Sequence, residues 1–256
     1  MLEGGLARVL ALPDAARVLD VGGWAAPLNR ADWVIDLMPY SSRGVLAPDG
    51  VGPAPQRFDE RTWVIADICG TEPWPFAENS FDFAVCTFTL EDVRDPIRVC
   101  EEMSRVARAG YVEVPSILDE LTWMNPEASG GPWVGHSHHR WLCTLQAEEL
   151  VFLAKFHSLA ARRRLRITAP QSTQLSERER VLAHAWEGRL PAREWAAIDA
   201  YPFDELQDAV QARFPRSPEH LRALELADRL AWWRERLAAA ARSRAGRARD
   251  RIASLR

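Results

Sequence analysis

Three histidines lie within four positions of a segment that reads VGHSHHRW, followed immediately by an arginine. A neutral imidazole, with a pKa near about 6.5, can take a proton from an alcohol or phenol, so His138 or His139 could be a general base. The H-x-H spacing also places two imidazoles on one side of an extended strand, where His136, His138 and His139 could bind a divalent metal. Together with Arg140, the cluster could instead bind a phosphate or carboxylate group.

A fourth interpretation is a polar loop that packs on Trp141. Glu113, near the end of a predicted strand, could assist any of these roles. We favour the general base, which makes His138, His139 and Glu113 the candidate catalytic residues, and we predict no metal site.

The segments that must position these residues are short and apolar. Five of them are rich in β-branched or aromatic residues, as buried parallel strands are. They cover residues 16–22, 32–37, 62–68, 81–88 and 110–116. Strands that alternate with crossovers predict an α/β fold with a doubly wound, mostly parallel sheet. In such a sheet the ligand binds at the carboxyl ends of the strands, and the histidines follow the fifth strand.

The connections between these strands differ in character. The fourth and fifth strands are joined by an apolar pattern at three- and four-residue intervals, which predicts an amphipathic helix that ends at Gly110. Residues 38–61 are rich in proline and glycine, which predicts a long loop. Residues 116–140, with Trp123, Trp133 and the segment ASGG, form a candidate lid.

After the histidines, Thr144 is a plausible N-cap for a helix over QAEELVFLAKF, and residues 157–168 favour one or two edge strands. The remainder is predicted to be helical. Ser217-Pro218-Glu219 indicates the start of a helix. Its apolar residues form a short seam that we expect to pack on the same chain rather than to form a dimer. The seam comprises Ala223, Leu226, Leu230, Trp233, Leu237 and Ala240.

Composition limits the kind of protein. With 256 residues, 47% of them hydrophobic, the chain can bury a sizeable core. It has neither a long apolar stretch nor a signal-like N-terminus, so we expect a soluble, cytoplasmic protein and no membrane partner. The four cysteines form no CxxC pair, which favours reduced thiols. Residues 1–150 carry 11 basic and 23 acidic side chains, which argues against a nucleic-acid partner.

Acidic residues and glycines mark the ends of the first three predicted strands. Asp20 is followed by Gly22 and Gly23, where a ligand can approach the backbone closely. Asp36 ends the second strand, where a carboxylate can accept both hydroxyls of a ribose. Asp67 and Ile68 end the third, where they could meet an adenine.

This set resembles the class I S-adenosylmethionine-dependent methyltransferases, in particular the methyltransferase type 11-like branch. The likeness rests on VLDVGG, on WPFAENSFD before the fourth strand and on TLEDV after it. It implies a Rossmann-like fold with S-adenosyl-L-methionine as cofactor. The family pattern places the methionine part of the cofactor against Asp20, Gly22 and Gly23, and the ribose against Asp36. It places the adenine against Asp67 and Ile68, and the sulfonium beside Thr87 and Phe88.

Three departures from the family pattern are present. Trp24-Ala25-Ala26-Pro27 stands where the first motif of the family usually has its third glycine. Asp92 stands where the motif after the fourth strand has a histidine, and Arg108-Ala109-Gly110 stands where a PGG turn usually precedes the fifth strand.

The domains predicted are a cofactor-binding methyltransferase-like domain over residues 1–168 and a mostly helical extension over 169–256. The expected function is methylation of a small-molecule or glycan-type acceptor, at oxygen, with a loop histidine as base. Trp123, Trp133 and Trp141 are candidates for an apolar wall beside the acceptor. The alternative is a non-catalytic or non-methylating cofactor-binding scaffold whose arginine-rich helical tail binds a partner. A homodimer through the C-terminal helix is a further possibility.

Overall fold

A six-stranded sheet forms the centre of the molecule. The computed structural model describes residues 1–123, 134–156, 158–195 and 201–253. The strands are β1 (Val18–Val21), β2 (Trp33–Asp36), β3 (Trp63–Ile65), β4 (Phe83–Thr87), β5 (Ala109–Pro115) and β8 (Val181–Glu187). Their order is β3-β2-β1-β4-β5-β8, and all neighbours are parallel except β5 and β8. The five strands predicted from the sequence and the doubly wound, mostly parallel sheet are confirmed.

A smaller sheet contains β6 (Trp141–Gln146), β7 (Glu149–Ala154) and β9 (Ala192–Glu194). β6 and β7 form an antiparallel hairpin whose two-residue turn, Ala147 and Glu148, has positive φ angles of 49° and 66°. The prediction of a helix capped by Thr144 is therefore wrong. Ala147 and the two glutamates favour a helix by intrinsic propensity, but burial of the Leu150–Leu153 run in a sheet prevails.

Eight α-helices are present in the described residues. They are α1 (Glu3–Leu10), α2 (Pro96–Val106), α3 (Ile117–Glu120), α4 (Ser158–Ala161), α5 (Ala169–Ser172), α6 (Glu177–Arg180), α7 (Phe203–Arg213) and α8 (Pro218–Ala253).

The helix between β4 and β5 is shorter than predicted. Asp95 caps α2 by accepting a hydrogen bond from the Arg98 backbone N–H at 2.9 Å, and Pro96 occupies the first turn. The helix ends at Val106, and Gly110 lies inside β5 rather than at a helix end. A Cβ at Gly110 would come within 2.3 Å of the Ala84 carbonyl oxygen and 2.6 Å of the Trp186 ring, so close packing explains this glycine.

The connections after β2 and after β7 contain short helical turns and, among the described residues, no strands. Residues 38–61 contain two short 3-10 turns, Tyr40–Ser42 and Glu60–Thr62 at their end, and an isolated bridge from Val51 to Leu28, so the predicted long loop is confirmed. The edge strands predicted in residues 157–168 are wrong, because this segment forms α4 and a 3-10 turn, Arg163–Leu165. Only Ile167 makes an isolated bridge, to Thr122.

The central sheet extends beyond the boundary predicted at residue 168. β8 pairs with β5 along seven residues, from Ala109 opposite Glu187 to Pro115 opposite Val181. The expectation that everything after residue 168 is helical is therefore wrong for β8 and β9, although helices form most of this part.

Helix α8 begins at Ser217-Pro218 as predicted, but its apolar seam does not pack on the chain. Leu226, Leu230, Trp233 and Leu237 are all more than half exposed. The start of the helix is held to the body by Asp228, which accepts a hydrogen bond from the Arg163 backbone N–H at 3.0 Å. No helix in the described part of the chain is long and apolar enough to cross a membrane.

Gly110 provides a test of the β4–β5–β8 packing. Gly110→Ala should lower the free energy of unfolding by about 1–3 kcal/mol, because its methyl group overpacks against backbone and a buried indole. The matched control is Gly4→Ala, where nothing lies within 4 Å of the new Cβ and alanine favours the helix. Urea unfolding measures both variants, and equal stability of the two would contradict this packing.

Candidate functional site

Exposed apolar side chains lie at the carboxyl ends of β3 and β2, which are neighbours, and of β4, which is separated from β2 by β1. Leu37 and Met38 come directly after β2, Ile65 ends β3 and Phe88 follows β4, with exposed fractions of 64%, 37%, 62% and 44%. We call these residues the carboxyl edge. Large apolar side chains left uncovered together at the ligand-binding end of a parallel sheet suit a flat apolar ligand group.

Asp36 lies within this edge. Its two carboxylate oxygens accept hydrogen bonds from the Trp24 backbone N–H at 3.0 Å and the Met38 backbone N–H at 2.8 Å. Burial raises the pKa of Asp36. Each carboxylate oxygen has two lone pairs, so one backbone bond to each leaves capacity for two hydroxyl donors.

The loop after β1 is shaped by close approach. Gly22 has a φ of +76°, and a Cβ there would come within 2.4 Å of the Thr89 hydroxyl oxygen. A Cβ on Gly23 would come within 2.2 Å of the Asp20 carboxylate. Asp20 is itself buried and accepts the Leu28 backbone N–H at 2.8 Å, and burial raises its pKa to about 7. The carboxylate thus fixes the course of the loop around residues 22–28.

Asp67 and Ile68, which the sequence predicted to meet an adenine, are arranged differently from that prediction. Asp67 forms a 2.7 Å ion pair with Arg94, and Ile68 is buried in the core, so Ile65 rather than Ile68 offers an exposed apolar surface. Thr87 ends β4, and Phe88 follows it with a φ of 51°.

These residues fit an adenosine-containing cofactor at the end of β2. Asp36 supplies a carboxylate with spare acceptor capacity, and Leu37, Met38 and Ile65 supply apolar surface beside it. The sequence did not identify Leu37 and Met38, whose signal is only that two large apolar residues directly follow a strand-end acid.

The three histidines come together beside the end of β4. The ring centroids of His136 and His138 each lie 4.5 Å from that of His139. The His136 Nε2 atom is 3.7 Å from the Asp119 carboxylate, which raises the pKa of His136.

His139 is held by a buried acid that the sequence did not single out. Its Nδ1 atom is hydrogen-bonded to Oε1 of Glu120, a fully buried residue at the end of α3. Lys155 donates to the other oxygen of Glu120 and, at 2.8 Å, to the His136 carbonyl oxygen. With the ammonium on one oxygen, the carboxylate accepts from Nδ1–H of His139, which leaves Nε2 without a proton when the ring is neutral. Lys155 is the sole lysine of the chain, and that was the only signal for it.

The free Nε2 atom of His139 faces Asp92. Asp92 Oδ1 lies 4.0 Å from His139 Nε2 and is buried without a hydrogen-bond partner among the described residues. Asp92 Oδ2 lies 4.0 Å from His138 Nε2. These three residues each offer one ligand atom within 4.8 Å of the others, so they could hold a divalent cation.

Glu113 does not share this location. Its fully buried carboxylate accepts hydrogen bonds from the Leu2 backbone N–H at 2.8 Å and the Tyr111 hydroxyl at 2.7 Å. Neighbouring residues of a strand face opposite sides of the sheet, and Val112 and Val114 pack in the same core cluster as β6 and β7. Glu113 therefore points away from the β6–β7 side, and its predicted part in the histidine site is not supported.

The tryptophans do not form the predicted wall. The Trp141 indole N–H donates to the Val93 carbonyl oxygen at 2.9 Å and its ring packs against the core. The Trp123 ring lies beneath the Arg166 guanidinium, 3.6 Å from its carbon atom. Trp133 lies outside the described residues.

Glu91 is a second buried acid between β4 and the histidines. Its backbone carbonyl accepts the N–H groups of Arg140 at 2.8 Å and Trp141 at 3.2 Å, which ties β4 to the start of β6. Burial raises the pKa of the Glu91 side chain to about 8, and its Oε2 atom is buried without a partner among the described residues. A carboxyl group that keeps its proton near neutrality is typical of functional sites.

The raised pKa of Glu91 predicts a pH-dependent stability. At a pH between the pKa of Glu91 in the unfolded chain and its pKa in the folded chain, only the folded chain keeps this proton. The contribution of Glu91 to the free energy of unfolding is therefore full at low pH and is lost as the pH rises toward 8. Relative to Glu91→Gln, the wild type should lose about 1–3 kcal/mol of unfolding free energy from about pH 6 to about pH 9. Urea unfolding at several pH values measures this. Glu78→Gln, at an exposed position, is the control, and parallel pH profiles for wild type and Glu91→Gln would contradict the burial.

Comparison with known proteins agrees with this architecture. Residues 46–112 match the family model described as "Methyltransferase domain". No curated protein matches the sequence.

Three solved structures illustrate the similarity. An S-adenosylmethionine-dependent methyltransferase from Mesorhizobium loti is 15% identical, with 71% of this chain and 96% of that chain covered and a TM-score of 0.36. The [4+2]-cyclase SpnF is 22% identical, with coverages of 43% and 42% and a TM-score of 0.32. A Haemonchus contortus phosphoethanolamine N-methyltransferase, solved with S-adenosylhomocysteine, is 16% identical, with coverages of 44% and 27% and a TM-score of 0.34.

The chain spans about half the length, or less, of the first solved structures that it matches. The family match confirms the resemblance to the class I S-adenosylmethionine-dependent methyltransferases, and the central sheet has their Rossmann-like fold.

Proposed function

We propose that this protein is an S-adenosylmethionine-dependent methyltransferase that methylates an oxygen atom of a small-molecule or glycan-type acceptor. The observation that carries the proposal is the orientation of His139. Glu120 occupies Nδ1, which leaves Nε2 as a proton acceptor beside the end of β4.

The cofactor, when bound, supplies an activated methyl group, so the protein mainly has to bind and orient the two reactants. We assign Asp36 to the ribose hydroxyls and the apolar carboxyl edge to the adenine. We assign the methionine part to the loop after β1, where Gly22 and Gly23 let the backbone pass close to Thr89 and Asp20.

The acceptor's hydroxyl group would lie against the histidines. His139 Nε2 takes the hydroxyl proton as the oxygen gains its methyl group, and the resulting imidazolium is stabilised by Glu120 on one side and Asp92 on the other. His138, whose side chain is 66% exposed, lines the approach to this position and is the second candidate base. The exposed imidazoles of His136 and His138 and the partly exposed carboxylate of Asp92 favour a polar acceptor.

The alternative function is a scaffold that binds the cofactor without methyl transfer and contacts a partner through its C-terminal helix. The observation that favours it is the exposed apolar row on α8, from Leu226 to Leu237. The same row could pair two copies of the chain.

Cofactor binding is tested at Asp36. Asp36→Ala should weaken binding of S-adenosylhomocysteine by about 100-fold, because two hydrogen bonds to a charged acceptor are lost. Isothermal titration calorimetry measures the affinity. Asp14→Ala, which removes a carboxylate that is 98% exposed, is the control. An Asp36→Ala protein that unfolds like the wild type and binds as tightly would contradict the site.

Catalysis is tested at His139 with tritiated S-adenosylmethionine and a panel of phenols, alcohols and sugars. For any accepted compound, His139→Ala should lower kcat by about 10²–10⁴-fold, because the proton acceptor is lost. Its affinity for S-adenosylhomocysteine should stay unchanged, since His139 is not placed against the cofactor. Ser137→Ala, an exposed change in the same loop, is the control. Full activity of His139→Ala would exclude the base, and tight cofactor binding with no transfer to any compound would favour the scaffold.

A further inference from the structure

A basic cavity lies away from the carboxyl edge, where the start of α8 meets the segment after α4. Its volume is about 610 Å³. The polar side chains around it include Arg163, Arg166, Arg216, His220, Thr168 and Gln171, and no carboxylate is among its lining residues. The cavity belongs to the C-terminal part of the chain, residues 151–256, which carries 21 basic and 13 acidic side chains.

Two of the arginines are fixed by neutral groups. Arg216 donates to the carbonyl oxygens of Arg164 at 2.7 Å and of Arg166 at 2.5 Å. Arg166 donates from Nε to the Ala160 carbonyl oxygen at 3.0 Å, and its guanidinium stacks on Trp123. Carbonyl oxygens position a guanidinium without neutralising it. Among the described residues neither arginine has an ion pair, although the more distant Asp228 carboxylate offsets part of the Arg166 charge.

Burial makes these charges costly. It lowers the pKa of Arg166, as does the nearby Arg163, and it lowers the pKa of Arg216. The third arginine, Arg163, has a partner, because its Nε atom lies 3.2 Å from the Asp228 carboxylate. Three guanidinium groups therefore share one carboxylate. A bound anion would offset the cost of burying the charges of Arg166 and Arg216.

The shape of the cavity indicates what kind of anion it suits. Guanidinium groups bind phosphate through paired N–H donors, and the N-terminus of α8, a long helix, adds a favourable dipole on the same side. The volume is in the range of cavities that hold small organic molecules, and Pro215 and Leu224 contribute apolar lining.

We infer that this cavity binds the phosphate group of a phosphorylated small molecule, held by Arg163, Arg166 and Arg216 with Gln171 and His220 beside them. None of these residues belongs to the carboxyl edge or the histidine site, so this inference does not depend on the proposed function. The site would give the protein a third ligand, in addition to the cofactor and the acceptor.

The test is calorimetric titration of the full chain with phenyl phosphate, inorganic phosphate and benzoate at constant ionic strength. We expect saturable binding of phenyl phosphate, at least as tight as that of inorganic phosphate and tighter than that of benzoate. Arg163→Gln should weaken it about tenfold, and Gln171→Ala should weaken it less. Arg189→Gln, an exposed change outside the cavity, should leave it unchanged.

Arg216 is left unchanged because its bonds to two carbonyl groups hold the backbone. Arg163 pairs with Asp228 and Gln171 caps α5, so both variants must also unfold in urea like the wild type. Absence of saturable phenyl phosphate binding would overturn the inference. Equal affinity in Arg163→Gln, or equal binding of benzoate, would overturn it too, because the arginines would then not be selecting a phosphate.

Discussion

The buried carboxylate of Glu120 is the interaction on which the arrangement of the candidate acceptor site depends. A fully buried carboxylate is tolerated only with charged and hydrogen-bonded partners. Lys155 at the end of β7 and His139 in the histidine loop supply them, so one acid joins three segments that are distant in sequence. Gly135 belongs to the same arrangement, because a Cβ there would come within 2.5 Å of the Glu120 side chain. The loop therefore passes close over Glu120, and the positions of all three imidazoles follow.

The backbone of Glu91 holds the histidine site next to the carboxyl edge. Its carbonyl oxygen receives the N–H groups of Arg140 and Trp141, so the chain after the histidines is fixed to the end of β4. Phe88 at the carboxyl edge and Asp92 beside the imidazoles both belong to the short loop that follows β4. A group bound on Phe88 and a group bound at His139 would be neighbours, which is the arrangement that a transfer between two ligands requires.

The sequence predicted the parts that depend on local pattern and failed where distant contacts prevail. The five parallel strands, the long loop after β2 and the start of α8 follow from apolar runs, prolines and a capping sequence. The β6–β7 hairpin was missed because its turn residues have helical propensity, and β8 because its pairing partner is more than sixty residues away. Asp36 and the histidines were identified by type and spacing. Glu120 and Lys155 were not, since nothing in a sequence shows which acid is buried beneath which imidazole.

The most direct test of the account is the tautomer of His139, measured from the nitrogen chemical shifts of its ring by NMR at a pH where the imidazole is neutral. We expect a proton on Nδ1, donated to Glu120, and a bare Nε2. Glu120→Gln, which changes the partner of Nδ1, and His139→Gln, which removes the signals, identify the resonances. A neutral ring that carries its proton on Nε2 would contradict the account, because no proton acceptor would then face the acceptor site.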